Sequence, residues 1–150
     1  MRRFIHKMIV IDTCLFYSNF SEHDINHKIG RSIFDKILDG KYGQPILLDF
    51  VYNELLTLTY IRTKNFEMCK QLAEFLDEQV SDGIIDFIHT PNEIFWKANQ
   101  KFLDQDLKNE KRFLSYTDAI IGVMAEWLNA TYIGTFDGQF HRFNPQIISV

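Results

Sequence analysis

The chain has 150 residues, 46% of them hydrophobic and 24% charged, which is the composition of a single globular domain. Its 3 Pro and 7 Gly exclude a disordered or fibrous chain, and no apolar run approaches the roughly 20 residues that a membrane-spanning helix needs. A formal net charge of −4 excludes a global positive field, so any nucleic acid must be held by local Lys and Arg clusters or by metal ions on acidic side chains.

Two features of the chain favour a cytoplasmic location. The N-terminal segment is basic, but its apolar run is too short for a signal peptide and ends at Asp12. Cys14 and Cys69 are isolated in the sequence and show no metal-ligand spacing, which favours reduced thiols over a disulfide.

The N-terminal half alternates between strand and helix patterns. Met8–Ile11 is a continuous apolar run rich in β-branched residues, which predicts a buried strand. Apolar residues at helical spacing predict a helix from Ser21 to Leu38. A second short strand is expected at Ile46–Leu48, and two helices follow it, from Val51 to Ile61 and from Phe66 to Val80.

The C-terminal half continues the alternation. Ile84–His89 predicts a strand, and Thr90-Pro91-Asn92-Glu93 is a capping box that begins a helix. Ser115-Tyr116-Thr117-Asp118 is a second capping box before another helix. The closing strands are expected at Tyr132–Phe136 and Ile147–Val150.

Strands that alternate with helices predict βαβ units and a mainly parallel central sheet with helices on both faces. The sequence contains no internal repeat, no low-complexity tract and no linker-like change of composition. The prediction is therefore a single α/β domain that spans residues 1–150.

Four acidic residues stand where this fold places functional groups. In an open parallel sheet, the functional crevice lies beyond the carboxyl ends of the strands. Asp12 directly follows the first strand, and Asp137 directly follows the strand at 132–136. Asp118 belongs to the first turn of one helix and Glu54 to the early part of another, so all four are candidates for one site.

Each acid taken singly also has a structural explanation. Asp12 can turn the chain and cap the segment that follows. Glu54 can be a solvated helix residue, and Asp118 can simply close the capping box with Ser115. The Asp137-Gly138 pair is a common type I′ hairpin turn. None of these alternatives is excluded by the residue itself.

Taken together, the four acids indicate metal chemistry. Carboxylates crowded into one crevice repel one another unless a cation lies between them. Ligands that are all oxygen select a hard ion, Mg²⁺ or Mn²⁺, over Zn²⁺. Such an ion activates water and neutralises charge on a phosphodiester under attack, which favours phosphodiester hydrolysis.

Four segments resemble the acidic motifs of PIN-domain ribonucleases, in that family's order. They are Ile9-Val10-Ile11-Asp12-Thr13, Tyr52-Asn53-Glu54-Leu55, Ser115-Tyr116-Thr117-Asp118-Ala119 and Thr135-Phe136-Asp137-Gly138-Gln139-Phe140. The subgroup that the chain resembles most is the VapC-type toxins of prokaryotic toxin–antitoxin pairs. The resemblance covers both ends well, while the stretch from Phe66 to Glu110 matches only as helices and one strand.

The resemblance implies an α/β/α sandwich, a Mg²⁺- or Mn²⁺-dependent endoribonuclease acting on RNA, a homodimer, and a small antitoxin protein as partner. It assigns metal binding and catalysis to Asp12, Glu54, Asp118 and Asp137. Thr13 and Thr135 match positions that support the acids through hydrogen bonds, although Thr13 can equally be a plain turn residue.

Four basic side chains are candidates for binding RNA phosphates near the acids. Arg62 ends the helix that carries one of the acids, Lys111 and Arg112 precede the helix that carries another, and His141 follows the last acid. The alternative for each of them is an ordinary solvated position.

Two other classes of protein compete with this prediction. A catalytically silent PIN-like module would bind RNA or a protein, but it has no reason to keep four mutually repelling acids. A receiver-like phosphoacceptor domain needs paired acids after the first strand and a Lys after a late strand. Here the first strand is followed by Asp12, Thr13 and Cys14, and no Lys follows the strand at 132–136, which disfavours the receiver.

Overall fold

The computed structural model describes residues 6–106, 108 and 112–148 of the chain. Within these residues the strands are Met8–Ile11 (β1), Gln44–Leu48 (β2), Asp86–Ile88 (β3), Tyr132–Gly134 (β4) and Gln146–Ile148 (β5). The helices are Thr13–Phe20 (α1), His27–Leu38 (α2), Asp49–Thr63 (α3), Phe66–Ser81 (α4), Asn92–Leu103 (α5) and Tyr116–Trp127 (α6). A short 3-10 helix, Gly138–Arg142 (η1), lies between β4 and β5. None of the described helices is long and apolar enough to cross a membrane.

The described strands form one sheet in the order β3-β2-β1-β4-β5, and each neighbouring pair is parallel. β1 is central, since Ile9 lies opposite Pro45 of β2 on one side and Tyr132 of β4 on the other. Ile9, Val10 and Ile11 are completely buried. A strand covered on both faces explains why this run is continuously apolar rather than alternating. The predicted parallel α/β sheet is confirmed.

Helices flank the sheet and complete the core. α1 packs against α2 and α3, α3 packs against α4, and α5 packs against α6. The predicted helices α2 to α6 each bury part of the apolar stripe that their spacing predicted, as Leu55, Leu72 and Ile120 show. Because every strand runs in the same direction, the turns that lead from strand to helix gather at one edge of the sheet.

The start of the helical layer differs from the prediction. α1 is a helix that the sequence did not predict, and the helix expected from Ser21 to Leu38 begins only at His27. α1 is buried nearly all round, with Leu15 and Phe16 in the core, so it has no amphipathic period that would reveal it. The residues between α1 and α2 form turns, and Ile25 there is 95% exposed although its spacing fits a helix.

One of the two predicted capping boxes is wrong and the other is confirmed. Pro91, not Thr90, is the N-cap residue of α5, and it makes no side-chain cap bond. Thr90 instead donates from its backbone N (2.9 Å) and its hydroxyl (2.7 Å) to the Asp49 carboxylate, which ties the end of β3 to the start of α3. Ser115 and Asp118 form the capping box of α6 as predicted.

The segment after β4 does not turn back as a hairpin. Asp137 is the N-cap residue of η1, and its carboxylate accepts from the backbone N of Gln139 at 3.0 Å. The chain then crosses to β5, which runs parallel to β4, so the hairpin alternative for Asp137-Gly138 is wrong. The strand predicted at 132–136 ends at Gly134, and positions 149 and 150 of the last predicted strand lie outside the described residues.

The close approach of α6 to the end of η1 generates a first prediction. A Cβ placed on Gly122 lies 2.1 Å from the ring of Phe143, the residue that directly follows η1. Gly122→Ala must therefore displace that ring, and we expect a loss of about 1–3 kcal/mol in the free energy of unfolding, measured by urea denaturation. Gly138→Ala is the matched control, because its Cβ meets no atom closer than 3.7 Å. Equal stabilities for the two variants would contradict this packing.

Candidate active site

All four predicted acids line one cleft of about 490 Å³ at the edge of the sheet where the strands end. Asp12 directly follows β1, Asp137 lies three positions after β4 ends at Gly134, and these two strands are neighbours. Glu54 belongs to α3, and Asp118 belongs to the first turn of α6. The fold therefore brings together acids that are far apart in the sequence.

Asp12 is the most buried of these acids, with 6% of its surface exposed. Its Oδ1 accepts a hydrogen bond from the backbone N of Thr13 at 2.7 Å. Its Oδ2 accepts from the Thr135 hydroxyl at 2.7 Å and from the Cys14 thiol at 3.1 Å. The backbone N of Asp12 also donates to the Gly134 carbonyl at 2.9 Å, so the carboxylate has a fixed position at the junction of β1 and β4.

Burial and mutual repulsion disfavour the charged forms of two of the acids. Burial raises the pKa of Asp12, and the charge of Glu54 adds to the effect, while the hydrogen bonds to the carboxylate oppose it. Burial and then the charge of Asp12 raise the pKa of Asp118 from 3.8 to about 6, with a smaller contribution from Asp137. The metal-free cleft therefore holds negative charge at a free-energy cost that a bound cation would relieve.

The Cys14 thiol lies against Asp12 but is not suited to nucleophilic attack. Burial raises the pKa of this thiol, and the neighbouring Asp12 carboxylate raises it further. The thiol is therefore protonated at neutral pH, which is the form that donates to Asp12. The backbone N of Phe136 donates to its sulfur at 3.4 Å, so Cys14 also connects α1 to the segment after β4.

Asp118 combines the two roles that the sequence left open. Its backbone N donates to the Ser115 hydroxyl at 3.1 Å, and its Oδ2 accepts from the Ser115 backbone N at 3.2 Å. The same Oδ2 accepts from the side-chain amide of Gln139 at 2.6 Å. Capping the helix and lining the cleft are therefore compatible.

Gln139 is a site residue that the sequence analysis missed. Its amide Nε2 donates to Asp118 Oδ2 at 2.6 Å and to Asp137 Oδ2 at 2.8 Å, so it bridges two of the acids. The side chain is buried, and its Oε1 has no hydrogen-bond partner among the described residues. The only signal in the sequence is its position two residues after Asp137, where a turn returns a polar side chain to the acid.

The two predicted supporting threonines occupy different environments. The Thr135 hydroxyl donates to Asp12 and accepts from the backbone N of Asp137 at 2.9 Å, so it links two acids. The Thr13 hydroxyl is buried in the cleft and finds no partner within the described part of the chain. Glu54 is exposed beside them, and its charge contributes to the raised pKa of Asp12.

Arg62 lines the cleft but is already engaged by its own chain. Its guanidinium lies 3.5 Å from the Asp24 carboxylate and 4.6 Å from the centre of the Tyr17 ring. Both contacts hold it near the connection between α1 and α2.

Two of the other predicted basic residues lie near Asp137. The Arg112 guanidinium lies 3.6 Å from Asp137 Oδ1 and is mostly exposed. His141 shares with Arg112 a second hollow next to η1. Lys111 lies outside the described residues.

The cleft has the donor chemistry of a site for a hard divalent cation. The potential ligand atoms are carboxylate oxygens, and the unpartnered Thr13 hydroxyl lies among them. Across residues 6–106, 108 and 112–148, however, no three acidic, His or Cys side chains are arranged as a ready ligand set. The Gln139 amide bridges Asp118 Oδ2 and Asp137 Oδ2 instead, so a cation that binds these two oxygens competes with that bridge.

The chain matches no family model, but it matches known proteins in sequence and in fold. Over 131 residues it is 33% identical to the VapC ribonuclease of Archaeoglobus fulgidus, and the aligned region covers 87% of this chain and 78% of that protein.

Solved structures share the fold at low sequence identity. Mycobacterium tuberculosis VapC20, described as a Sarcin-Ricin loop cleaving toxin, has a TM-score of 0.72 at 16% identity, with 89% of this chain and 93% of that chain covered. VapBC2 from Rickettsia felis, solved with a DNA fragment from its promoter, has a TM-score of 0.65 at 15% identity, with 94% and 97% covered.

A parallel sheet flanked by helices, with acids at its carboxyl edge, is the arrangement that the resemblance to PIN-domain ribonucleases implies, and the α/β/α sandwich expected from it is confirmed. The sequence relation goes further than the fold, because it extends over most of both proteins. The chain belongs to the VapC ribonuclease family.

The raised pKa of Asp118 predicts that the stability of the metal-free protein falls with pH. A carboxyl with a pKa of about 6 when folded and 3.8 when unfolded binds more proton in the folded state, so the free energy of unfolding decreases as pH rises from about 4 to about 6. Asp118→Asn removes this contribution and keeps an oxygen acceptor at the start of α6. In EDTA at neutral pH, we expect the variant to be more stable than the wild type by about 1–2 kcal/mol.

Urea denaturation in EDTA across this pH range measures the effect. Asp77→Asn, at an exposed position of α4, is the control and should follow the wild type. If Asp118→Asn is less stable than the wild type at every pH, the capping contribution outweighs the relief of repulsion and our account of the cleft is wrong.

The Gln139 bridge predicts a change in the response to metal. Gln139→Met removes the donor shared by Asp118 and Asp137, so it should lower the melting temperature in EDTA. It also removes the group with which a cation competes, so Mn²⁺ should raise the melting temperature of the variant more than that of the wild type. Gln105→Met is the control, because Gln105 bonds only to backbone atoms of Phe102 and Leu114 in the described contacts. An equal Mn²⁺ response in both variants would rule out the competition.

Proposed function

We propose that the chain is the toxin of a toxin–antitoxin pair and that it hydrolyses RNA phosphodiester bonds with Mg²⁺ or Mn²⁺. The observation that carries the proposal is the convergence of Asp12, Glu54, Asp118 and Asp137 on one cleft. Membership of the VapC ribonuclease family supports the ribonuclease activity. The raised pKa values of Asp12 and Asp118 support a cation as the cofactor.

A divalent ion in this cleft supplies an activated water near neutral pH and neutralises the negative charge that builds at phosphorus. Asp12, Asp118 and Asp137 are the proposed ligands, because they are fully or partly buried in the cleft and joined through Thr135 and Gln139. Asp24 also lines the cleft, but it is paired with Arg62. Glu54 is exposed beside the three ligands and either completes the ligand set or orients the attacking water. Thr135 keeps Asp12 and Asp137 in position through its bonds to both.

Water is the nucleophile in this proposal. The Thr13 hydroxyl is buried without a partner among the described residues, and we propose that it binds a water only when the cleft opens around it. The protonated Cys14 thiol is not suited to attack phosphorus, so we expect no covalent enzyme intermediate. Attack by water leaves the RNA 2′-hydroxyl unused, and the products should carry 5′-phosphate and 3′-hydroxyl ends.

The basic residues next to Asp137 are the proposed contacts for the substrate. Arg112 and His141 adjoin the acids, and we assign them, together with Lys111, to RNA phosphates. Arg62 is proposed for the same purpose, but it must first release Asp24.

The proposal includes an antitoxin partner, a homodimer and a cytoplasmic location. The structural neighbours include VapBC complexes from Rickettsia felis and Haemophilus influenzae, which supports a small antitoxin that binds this chain. The homodimer follows from the family resemblance. The cytoplasm contains RNA and keeps thiols such as Cys14 and Cys69 reduced, which suits the free cysteines of the structure.

Cleavage of end-labelled RNA by the purified protein tests the enzymatic proposal. We expect cleavage with Mg²⁺ or Mn²⁺, none in EDTA, and a loss of at least about 100-fold for Asp12→Asn, because the variant lacks a ligand charge. Asp49→Asn is the matched control: it also changes an acid that follows a strand, but Asp49 bonds to Thr90 and lies outside the cleft.

The control variant should lose stability and keep its activity. Cleavage that persists in EDTA, or products with 2′,3′-cyclic phosphate ends, would contradict the mechanism. Binding of RNA without cleavage by the wild type would instead indicate a catalytically silent PIN module.

Expression in bacterial cells tests the proposed partner. The wild type should arrest growth, Asp12→Asn should not, and co-expression of the small protein encoded beside the gene should relieve the arrest. Light scattering after gel filtration measures whether the chain is a dimer. A wild type that is harmless when expressed alone and binds no small partner would overturn the toxin assignment, even if the nuclease activity is confirmed.

A further inference from the structure

Two basic hollows lie beside the cleft. The first has a volume of about 400 Å³ and is lined by Arg112, Gly138, Gln139, His141 and Arg142. The second has a volume of about 370 Å³, adjoins α5, and has a lining that includes Lys97, Lys101, Asp104 and Arg142. Because Arg142 lines both hollows, they are neighbours.

The first hollow is joined directly to the acids. Gln139 lines it and donates to the Asp137 carboxylate at 2.8 Å, and the Arg112 guanidinium lies 3.6 Å from the same carboxylate. Arg142 donates from its guanidinium to the backbone carbonyl of Arg112 at 3.1 Å, which holds the two arginines together. The cleft, the first hollow and the second hollow therefore follow one another.

The charge of this surface is opposite to that of the chain. Among the described residues, two lysines and two arginines line the hollows together with Asp104, and Asp137 lies beside Arg112, although the chain has a net charge of −4. Lys97 and Lys101 are exposed and one turn apart on α5, so they lie on the same face of the helix. The ammonium of Lys101 lies 5.0 Å from the centre of the Phe143 ring, which places it beside the end of η1.

The cleft itself contains a basic residue that is already paired with other side chains. Arg62 is held by the Asp24 carboxylate and the Tyr17 ring. A polyanion whose scissile phosphate lies at the acids therefore meets several positive side chains along η1 and α5, whereas Arg62 near the connection between α1 and α2 is paired with a carboxylate, as Arg112 is with Asp137.

We propose that the two hollows form a phosphate track, made of Arg112, His141, Arg142, Lys97 and Lys101, that binds the RNA backbone outside the cleft. Arg112 and His141 contact the phosphates next to the cut bond, and Arg142, Lys97 and Lys101 contact phosphates further along the chain. The inference rests on the proposed ribonuclease function and extends it, because it assigns RNA binding to α5, far in sequence from the acids. It also explains how an acidic protein holds a polyanion.

The test compares the double variant Lys97→Glu/Lys101→Glu with Lys7→Glu/Lys41→Glu. Both variants make the chain more negative by the same amount, but Lys7 and Lys41 precede β1 and β2 and lie at the edge of the sheet away from the cleft. The single variant Lys97→Glu is added because it leaves the contact between Lys101 and Phe143 intact. Thermal melts establish that every variant is folded.

The measured quantities are KM and its salt dependence for two labelled RNAs with Mn²⁺. One is an RNA that the wild type cleaves, and the other is the same RNA shortened to a few nucleotides on each side of its cut. We expect Lys97→Glu/Lys101→Glu to raise KM for the full-length RNA about tenfold or more. The rise in KM for the shortened RNA should be much smaller. The slope of log KM against log salt should decrease by about 1.4, the value for two lost single-strand phosphate contacts.

The outcomes separate this inference from the function on which it rests. If the wild type cleaves RNA and the double variant Lys97→Glu/Lys101→Glu cleaves it with the same KM, the phosphate track is wrong and the proposed ribonuclease function stands. Equal effects of the two double variants, or equal effects on the long and short RNAs, also overturn it, because they indicate a response to net charge alone. If the wild type cleaves no RNA with Mg²⁺ or Mn²⁺, the proposed function fails and the track fails with it.

Discussion

The geometry of the cleft depends on one buried carboxylate at the end of the central strand. β1 is covered on both faces, so Asp12 emerges into a position that is almost closed to water. A charge in such a place is tolerated only when donors surround it. Thr135, Cys14 and the Thr13 backbone supply them, and they come from the end of β4 and the start of α1. The bonds that satisfy this charge are therefore the same bonds that hold the neighbouring elements in place.

In the rest of the cleft, one neutral side chain and one positive side chain stabilise the negative charge of the acids. The Gln139 amide lies between Asp118 and Asp137 and satisfies both without adding charge. Arg112 adds a weaker, exposed interaction with Asp137, which solvent screens. These contacts stabilise the acids but leave part of their mutual repulsion in place, as the raised pKa of Asp118 indicates.

Much of the architecture follows from local patterns in the sequence. Continuous apolar runs identified the strands of the parallel sheet, and the capping box at Ser115 identified the start of α6. The rule that strand ends meet at one edge predicted that Asp12 and Asp137 lie together, and the cleft contains these two acids with Glu54 and Asp118. The metal that they are predicted to bind remains a proposal.

The misses have physical causes that no local pattern contains. α1 is buried on nearly all sides, so its composition shows no helical period. Thr90 has the sequence of a cap, but a contact with Asp49, 41 residues away, takes its hydrogen bonds. Gln139 is a plain polar residue until the fold brings Asp118 beside its amide. Each miss is a case in which a long-range contact overrides a short-range preference.

The separation of Asp12 and Thr135 along the chain sets the order in which the site is assembled. Their hydrogen bond joins residues 123 positions apart, and β4, which Thr135 directly follows, pairs with β1 only after nearly the whole chain has been made. Loop closure over that distance is a late event in folding. During synthesis the N-terminal part of the chain emerges with Asp12 but without Asp118, Asp137 or the bridge between them. A growing chain therefore lacks the complete set of four acids until the segment that follows β4 has been translated.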